Sequence, residues 1–179
     1  MNSDTLDLWS LDEVHFQQHG SRCRMWVPPE CRQPVVLQHP TRKSVGYFGT
    51  MRLRDGKISY RREDKVFNAE TFWEFLKKLR QISSHSGRQV VILTDNARYH
   101  HALLHKNWRE QCASRFCLLF LPPYSPELNP IERAWKLTRR LAIHNQYFER
   151  IEHVAEAVEH VFSAWREPNA TLKKLCAII

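Results

Sequence analysis

Up to residue 121 the apolar positions of this chain fall mostly in short blocks, and after residue 130 they recur at helical spacing. Residues 6–11 (LDLWSL) read as a first strand of mixed character, closed by Asp12 and Glu13. Residues 24–27, 35–38, 45–53 and 57–61 read as further strands, the last two joined by a turn at Asp55-Gly56. Residues 68–82 predict a helix capped by Asn68, with Phe72, Phe75, Leu76 and Leu79 on one face and Lys77, Lys78 and Arg80 on the other. The apolar run of residues 90–94, VVILT, follows Gly87 and reads as a strand buried on both faces. A second apolar run covers residues 116–121, and helical periodicity then covers residues 131–143, 151–165 and 171–179. Strands first and helices later predict an α/β domain.

The run LPPYSPELNPIERAW, residues 121–135, stands out for its prolines. Pro122, Pro123, Pro126 and Pro130 each fix φ near −65° and remove a backbone donor, so the loop has few conformations to choose from. Asn129 suits an N-cap, Pro130 the first helical position, and Glu132 then falls at N3. That pattern has two readings: Glu132 caps its helix, or the stiff loop delivers its carboxylate to a site.

Two further acids bear on that choice. Asp95 follows the buried strand at its carboxyl end, where open α/β sheets place their ligands. Asp12 follows the first strand in the same way. Three carboxylates drawn together need a compensating cation, and hard oxygen donors suit Mg²⁺ or Mn²⁺ better than zinc. Metal-dependent phosphoryl transfer is the chemistry such an arrangement serves, by a mechanism with two ions per site.

The ordered motifs LDEVHF, CRMWVPPE, SVGYFGTMRLRDGKISY, LTDNARYHHA and LPPYSPELNPIERAWKLTRR resemble the catalytic domain of DDE transposases in the mariner superfamily, most closely its bacterial insertion-sequence branch. The resemblance runs from about residue 8 to residue 141. It implies a ribonuclease H-like, retroviral integrase-like fold: a mixed five-stranded sheet flanked by helices. Carried over residue by residue, the family's acidic triad falls on Asp12, Asp95 and Glu132, the catalytic and metal-binding residues, and the last two are 37 positions apart (95 to 132). The family often has a histidine five positions after the second acid, which makes His100 a candidate to touch substrate or to order the loop. The implied activity is Mg²⁺- or Mn²⁺-dependent cleavage and strand transfer at transposon ends, with transposon-end and target DNA as partners and a homodimer as the active form.

The expected organisation is a single catalytic domain over residues 1–179, without the helix-turn-helix modules that usually precede it and that an upstream partner or fusion would supply. The net charge of +8 points to a polyanion, and Arg133, Lys136, Arg139 and Arg140, on the helix of Glu132, are the candidate DNA-binding residues. No run of about 18 or more apolar residues and no signal-peptide pattern is present, which predicts a cytoplasmic protein. Five cysteines without a C-x-x-C pair favour reduced thiols. His101 and His105 have an i, i+4 spacing, but their Ala and Leu neighbours favour packing over zinc, and Trp26 and Trp135 read as core. Two other readings stay open: a ribonuclease H-like nuclease without strand transfer, and an inactive transposase-derived DNA-binding remnant.

Overall fold

The computed structural model describes residues 5–177, so the end of the last expected helix, residues 178 and 179, lies outside the described residues. Five strands form one mixed sheet: β1 (Leu6–Gln17), β2 (Ser44–Arg52), β3 (Lys57–Glu63), β4 (Gln89–Thr94) and β5 (Phe116–Phe120), in the order β3-β2-β1-β4-β5. β1 runs antiparallel to β2 and parallel to β4, β3 is antiparallel to β2, and β5 is parallel to β4. The helices are α1 (Ala69–Ser83), α2 (Lys106–Cys112), α3 (Ile131–Thr138), α4 (Ile151–Ser163) and α5 (Ala170–Leu175). A π-helical turn, Arg139–Ile143, extends α3 and fills out the expected helix of residues 131–143.

Strand alternation sorts the core into two layers. Trp9 and Leu11 of β1, with Phe48, Val90, Ile92 and Phe116, pack under Phe72, Phe75, Leu76 and Leu79, the predicted apolar face of α1. Val14 and Phe16, with Tyr47, Met51 and Ile58, pack on the opposite face against Trp135, Val158, Phe162 and Leu172. The expected cap of α1 forms: Asn68 Oδ1 accepts from the Glu70 and Thr71 amides at 3.0 and 2.9 Å, and Thr71 Oγ1 accepts from the Asn68 amide at 3.0 Å. The Asp55-Gly56 turn is also present. Gly56 adopts φ +74°, and the Asp55 carboxylate accepts from the Lys57 amide at 3.2 Å.

Three expectations are corrected. Residues 24–27 and 35–38 are not strands; they lie in the long excursion between β1 and β2, where Trp26, expected in the core, is fully exposed. β1 is already paired on both sides, by β2 and β4, and neither segment pairs with an edge strand. β1 does not end at Asp12 but continues to Gln17, because β2 pairs with it as far as Gln17 opposite Ser44. The parallel pairing of β1 with β4, by contrast, stops at Ser10 opposite Leu93. Two residues beyond that pair on each chain are Asp12 and Asp95, so Asp12 lies mid-strand yet beside the point where β4 peels away.

Candidate active site

Asp12 points to the α3 face of the sheet, where its Oδ2 accepts from Trp135 Nε1 at 3.0 Å. The indole is buried and packs against Gly49, the residue opposite Asp12 in β2: a Cβ built on Gly49 would stand 2.2 Å from Trp135 Cη2. A missing side chain on β2 thus makes room for the ring that holds Asp12. Burial pushes the Asp12 carboxyl up to about 8, and the neighbouring Glu13 and Glu132 carboxylates push it the same way.

Glu132 arrives by a route different from the one its sequence suggests. Asn129 does not cap α3, and no capping box forms; Pro130 takes the cap position, with helical φ. The Asn129 side chain turns inward instead, where its Oδ1 accepts from Ser10 Oγ and its Nδ2 donates to the Leu11 carbonyl at 3.1 Å. Ser10 Oγ in turn accepts from the Ile131 amide at 3.2 Å, so β1 itself caps α3. The physical reason is burial: Ser10 and Asn129 are both sealed from solvent, and each satisfies polar atoms of the other's segment. Ser10→Ala leaves the Ile131 amide and the Asn129 side-chain Oδ1 without that partner. It is expected to lower stability by about 2 kcal/mol in urea unfolding; an unchanged midpoint would contradict this account of how Glu132 is anchored.

Asp95 leaves β4 with its carboxylate half exposed, and its Oδ1 accepts from His100 Nδ1 at 3.0 Å. That hydrogen bond holds the Asp95 carboxyl below the ordinary carboxylate value. His100 is fully buried, which fits ordering of the loop. Its Nε2 reaches Glu13 Oε1 at 3.1 Å. Burial opposes a charged imidazole here, yet the Asp95 and Glu13 hydrogen bonds lift His100 to about 9.

Asp12, Asp95 and Glu132 line one cavity of about 410 Å³, walled by Pro122, Pro123 and Tyr124 of the proline loop. Among the described residues, the group of ligand-type side chains whose atoms all lie within 4.8 Å of one another is Glu13, Asp95 and His100; Asp12 and Glu132 border the cavity without joining it. Both His100 nitrogens are committed to carboxylates, so that group is a hydrogen-bonded chain with no imidazole lone pair left for a metal. Its key member, Glu13, was the residue that sequence reasoning passed over. The available signal was its place next to Asp12 on a strand, which sends the two carboxylates to opposite faces.

The expected DNA-binding group divides. Arg133 Nη1 donates to the Leu175 and Ala177 carbonyls at 3.1 and 3.0 Å, tying α3 to the end of α5, where a cation is favoured. The Arg139 guanidinium lies 5.4 Å from the centre of the Phe16 ring. Lys136 and Arg140 remain exposed, one helical turn apart. His101 contacts Asn96 Oδ1 and packs on Phe120, while His105 is buried and bonds the Tyr99 carbonyl, so the two sit on separate short turns and not on one helix. All five cysteines are unpaired.

A mixed five-stranded sheet, with helices on both faces and three acids around one cavity, defines a ribonuclease H-like fold. The chain belongs to the DDE superfamily endonuclease family, which matches it over residues 7–155. Among solved structures, the Mos1 strand transfer complex is similar with a TM-score of 0.66 at 20% identity, covering 94% of this chain and 50% of that one. The catalytic domain of Mos1 mariner transposase is similar with a TM-score of 0.63 at 17% identity, over 94% of this chain and 74% of that one. The uncharacterized protein y4pE/y4sA of Sinorhizobium fredii is 31% identical over 81 residues, 45% of this chain and 54% of that protein. The chain spans about half the length of that relative and of the Mos1 chain in the strand transfer complex. No helix among the described residues is long and apolar enough to cross a membrane.

Proposed function

We propose that this chain is a transposase catalytic domain that cuts DNA at transposon ends and joins the freed 3′-end to target DNA in the cytoplasm. The observation that carries the reading is the convergence of Asp12, Asp95 and Glu132, from β1, the end of β4 and the start of α3, on one cavity. The donor set fits a hard divalent ion. All three ligands are carboxylates, and Asp12 is pushed toward its protonated form by burial first and by its acidic neighbours second, a cost that Mg²⁺ or Mn²⁺ would offset. Two ions bound by these residues would activate the attacking hydroxyl and stabilise the leaving oxygen at the phosphodiester.

The chain's own groups do the rest. Trp135 holds the Asp12 carboxylate by Oδ2, and His100 holds Asp95. The proline loop keeps the cavity wall stiff, which favours a fixed approach of the DNA backbone. The Mos1 structures include a strand transfer complex and a mariner paired-end complex with Mn, the latter at 19% identity and a TM-score of 0.68; both support the reading. Sequence-specific recognition of the ends belongs, on this reading, to a helix-turn-helix segment fused to this domain or acting as its partner, with a homodimer as the active form.

The test is incubation with supercoiled DNA carrying transposon ends, in Mg²⁺ and in Mn²⁺, scoring cut and joined products. Both products, lost in EDTA, are expected. Cutting without joining would replace the reading with a plain nuclease, and no cutting with no metal binding would make the chain a DNA-binding remnant. Exposed Lys136 and Arg140 are expected to meet phosphates: replacing both with Ala should weaken DNA binding and lower the slope of log affinity against log salt by about 2. An unchanged slope in a filter-binding titration would move the DNA path off α3.

A further inference from the structure

In the chemistry above His100 serves only as a hold on Asp95; the other end of that hydrogen-bond chain, His100 Nε2 to Glu13 Oε1, is also fully built and has been given no part. β1 sends Asp12 and Glu13 to opposite faces, Asp12 to Trp135 and Glu13 to His100. The His100 ring is clamped, its centroid 4.1 Å from Phe72 and 4.6 Å from Tyr99, so it has no room to swing. From that fixed place Nδ1 meets Asp95 twice, at Oδ1 (3.0 Å) and at the backbone carbonyl (3.2 Å). The remaining hydrogen bond to the Asp95 carboxylate, from the Ala97 amide, is long at 3.4 Å. Without His100, a half-exposed carboxylate on the stretch leaving β4 would lose its main tether. Glu13 supplies the other end of the tether from β1, where the ladder with β2 fixes its backbone opposite Phe48.

We propose that Glu13 is a positioning residue which, acting through His100, sets the Asp95 carboxylate at a fixed place relative to Asp12. The proposal rests on the reading that Asp12 and Asp95 hold the metal. Because Asp12 and Glu13 are consecutive on one strand, the path from Asp12 to Asp95 runs only through a paired strand and a clamped ring. Carboxylates that must share ions gain from such preorganisation, since a misplacement of about 1 Å at a reacting centre costs on the order of 100-fold in rate.

The experiment uses the whole chain and titrates Mn²⁺ by calorimetry against the wild type, Glu13→Ala, Glu13→Gln and His100→Asn, with nicking rate, DNA affinity and melting temperature measured alongside. Glu13→Ala and His100→Asn are expected to raise the Mn²⁺ dissociation constant at least ten-fold and to slow nicking at sub-saturating Mn²⁺, with DNA affinity within two-fold. Glu13→Gln keeps a carbonyl that accepts from His100 Nε2, and is expected to return the constant to within three-fold of wild type. If Glu13→Ala does not fold, the contrast between Glu13→Gln and His100→Asn decides. Wild-type Mn²⁺ binding in the folded alanine or asparagine variant overturns the proposal and leaves the functional reading standing. So does Glu13→Gln as weak as Glu13→Ala, which would assign the effect to charge. A wild-type chain that binds no Mn²⁺ overturns both.

Discussion

Asp12→Asn, Asp95→Asn and Glu132→Gln are each expected to lower metal-dependent nicking by at least about 1,000-fold, the scale on which removing one member of a catalytic unit acts, while circular dichroism stays that of the wild type. The three are not equivalent in stability. In metal-free protein the Asp12 carboxyl is raised from its ordinary 3.8 to about 8 by burial and by its acidic neighbours. Between those values the folded chain holds a proton that the unfolded chain has released, so stability falls as pH rises from about 4 to about 8. Asn at this position removes that slope. Asp12→Asn is therefore expected to melt several degrees higher than the wild type at pH 8 without metal, and then to gain nothing from added Mn²⁺, whereas the wild type gains stability by mass action. The measurement is a set of melting curves across pH with and without Mn²⁺. A variant that melts lower than the wild type at pH 8 would mean that Asp12 sits comfortably ionised, and the strain assigned to it would be absent.

Gly49→Ala is expected to be among the most damaging single substitutions in the chain, although it adds one methyl group. The added Cβ would stand 2.2 and 2.7 Å from Cη2 and Cζ2 of Trp135, a buried ring with no flexible end to withdraw. The indole must move or the strand must bend, at a cost of about 3 kcal/mol. The displacement reaches the site directly, because the same indole donates to Asp12 Oδ2. Loss of stability in urea unfolding is expected to come with a fall in nicking that excess Mn²⁺ only partly restores. A Gly49→Ala protein of unchanged stability would show that the ring has room to shift, and would remove Trp135 as the part that holds Asp12.

The sequence made some of this plain and hid the rest for definite reasons. α1 was legible because its cap, its apolar face and its charged face all pointed the same way, and β4 because a β-branched run after glycine has few alternatives. The ordered motifs carried the acidic triad. Its mid-strand position at Asp12 was hidden, since the pairing of β1 continues past the acid on one side and stops on the other, and local composition holds no record of which neighbour leaves first. The strand readings at residues 24–27 and 35–38 failed because short consecutive apolar runs there pair with none of the five strands. Asn129 has the composition of a cap, but a buried serine 119 positions earlier takes over its side chain. Arg133, a candidate phosphate contact by sequence, donates to carbonyls at the end of α5, a link that its neighbours in sequence do not announce. Each miss turns on whether a segment remote in sequence supplies a partner, which local pattern does not encode.

The central claim is that Asp12, Asp95 and Glu132 together hold divalent metal. The most direct measurement is anomalous diffraction from crystals of the whole chain soaked in Mn²⁺. The account predicts Mn²⁺ peaks in the cavity with oxygen of all three carboxylates in their coordination shells and with His100 still bonded to Glu13 and Asp95. A peak coordinated by His100, or a soaked crystal in which Asp12 and Glu132 touch no metal, would contradict it.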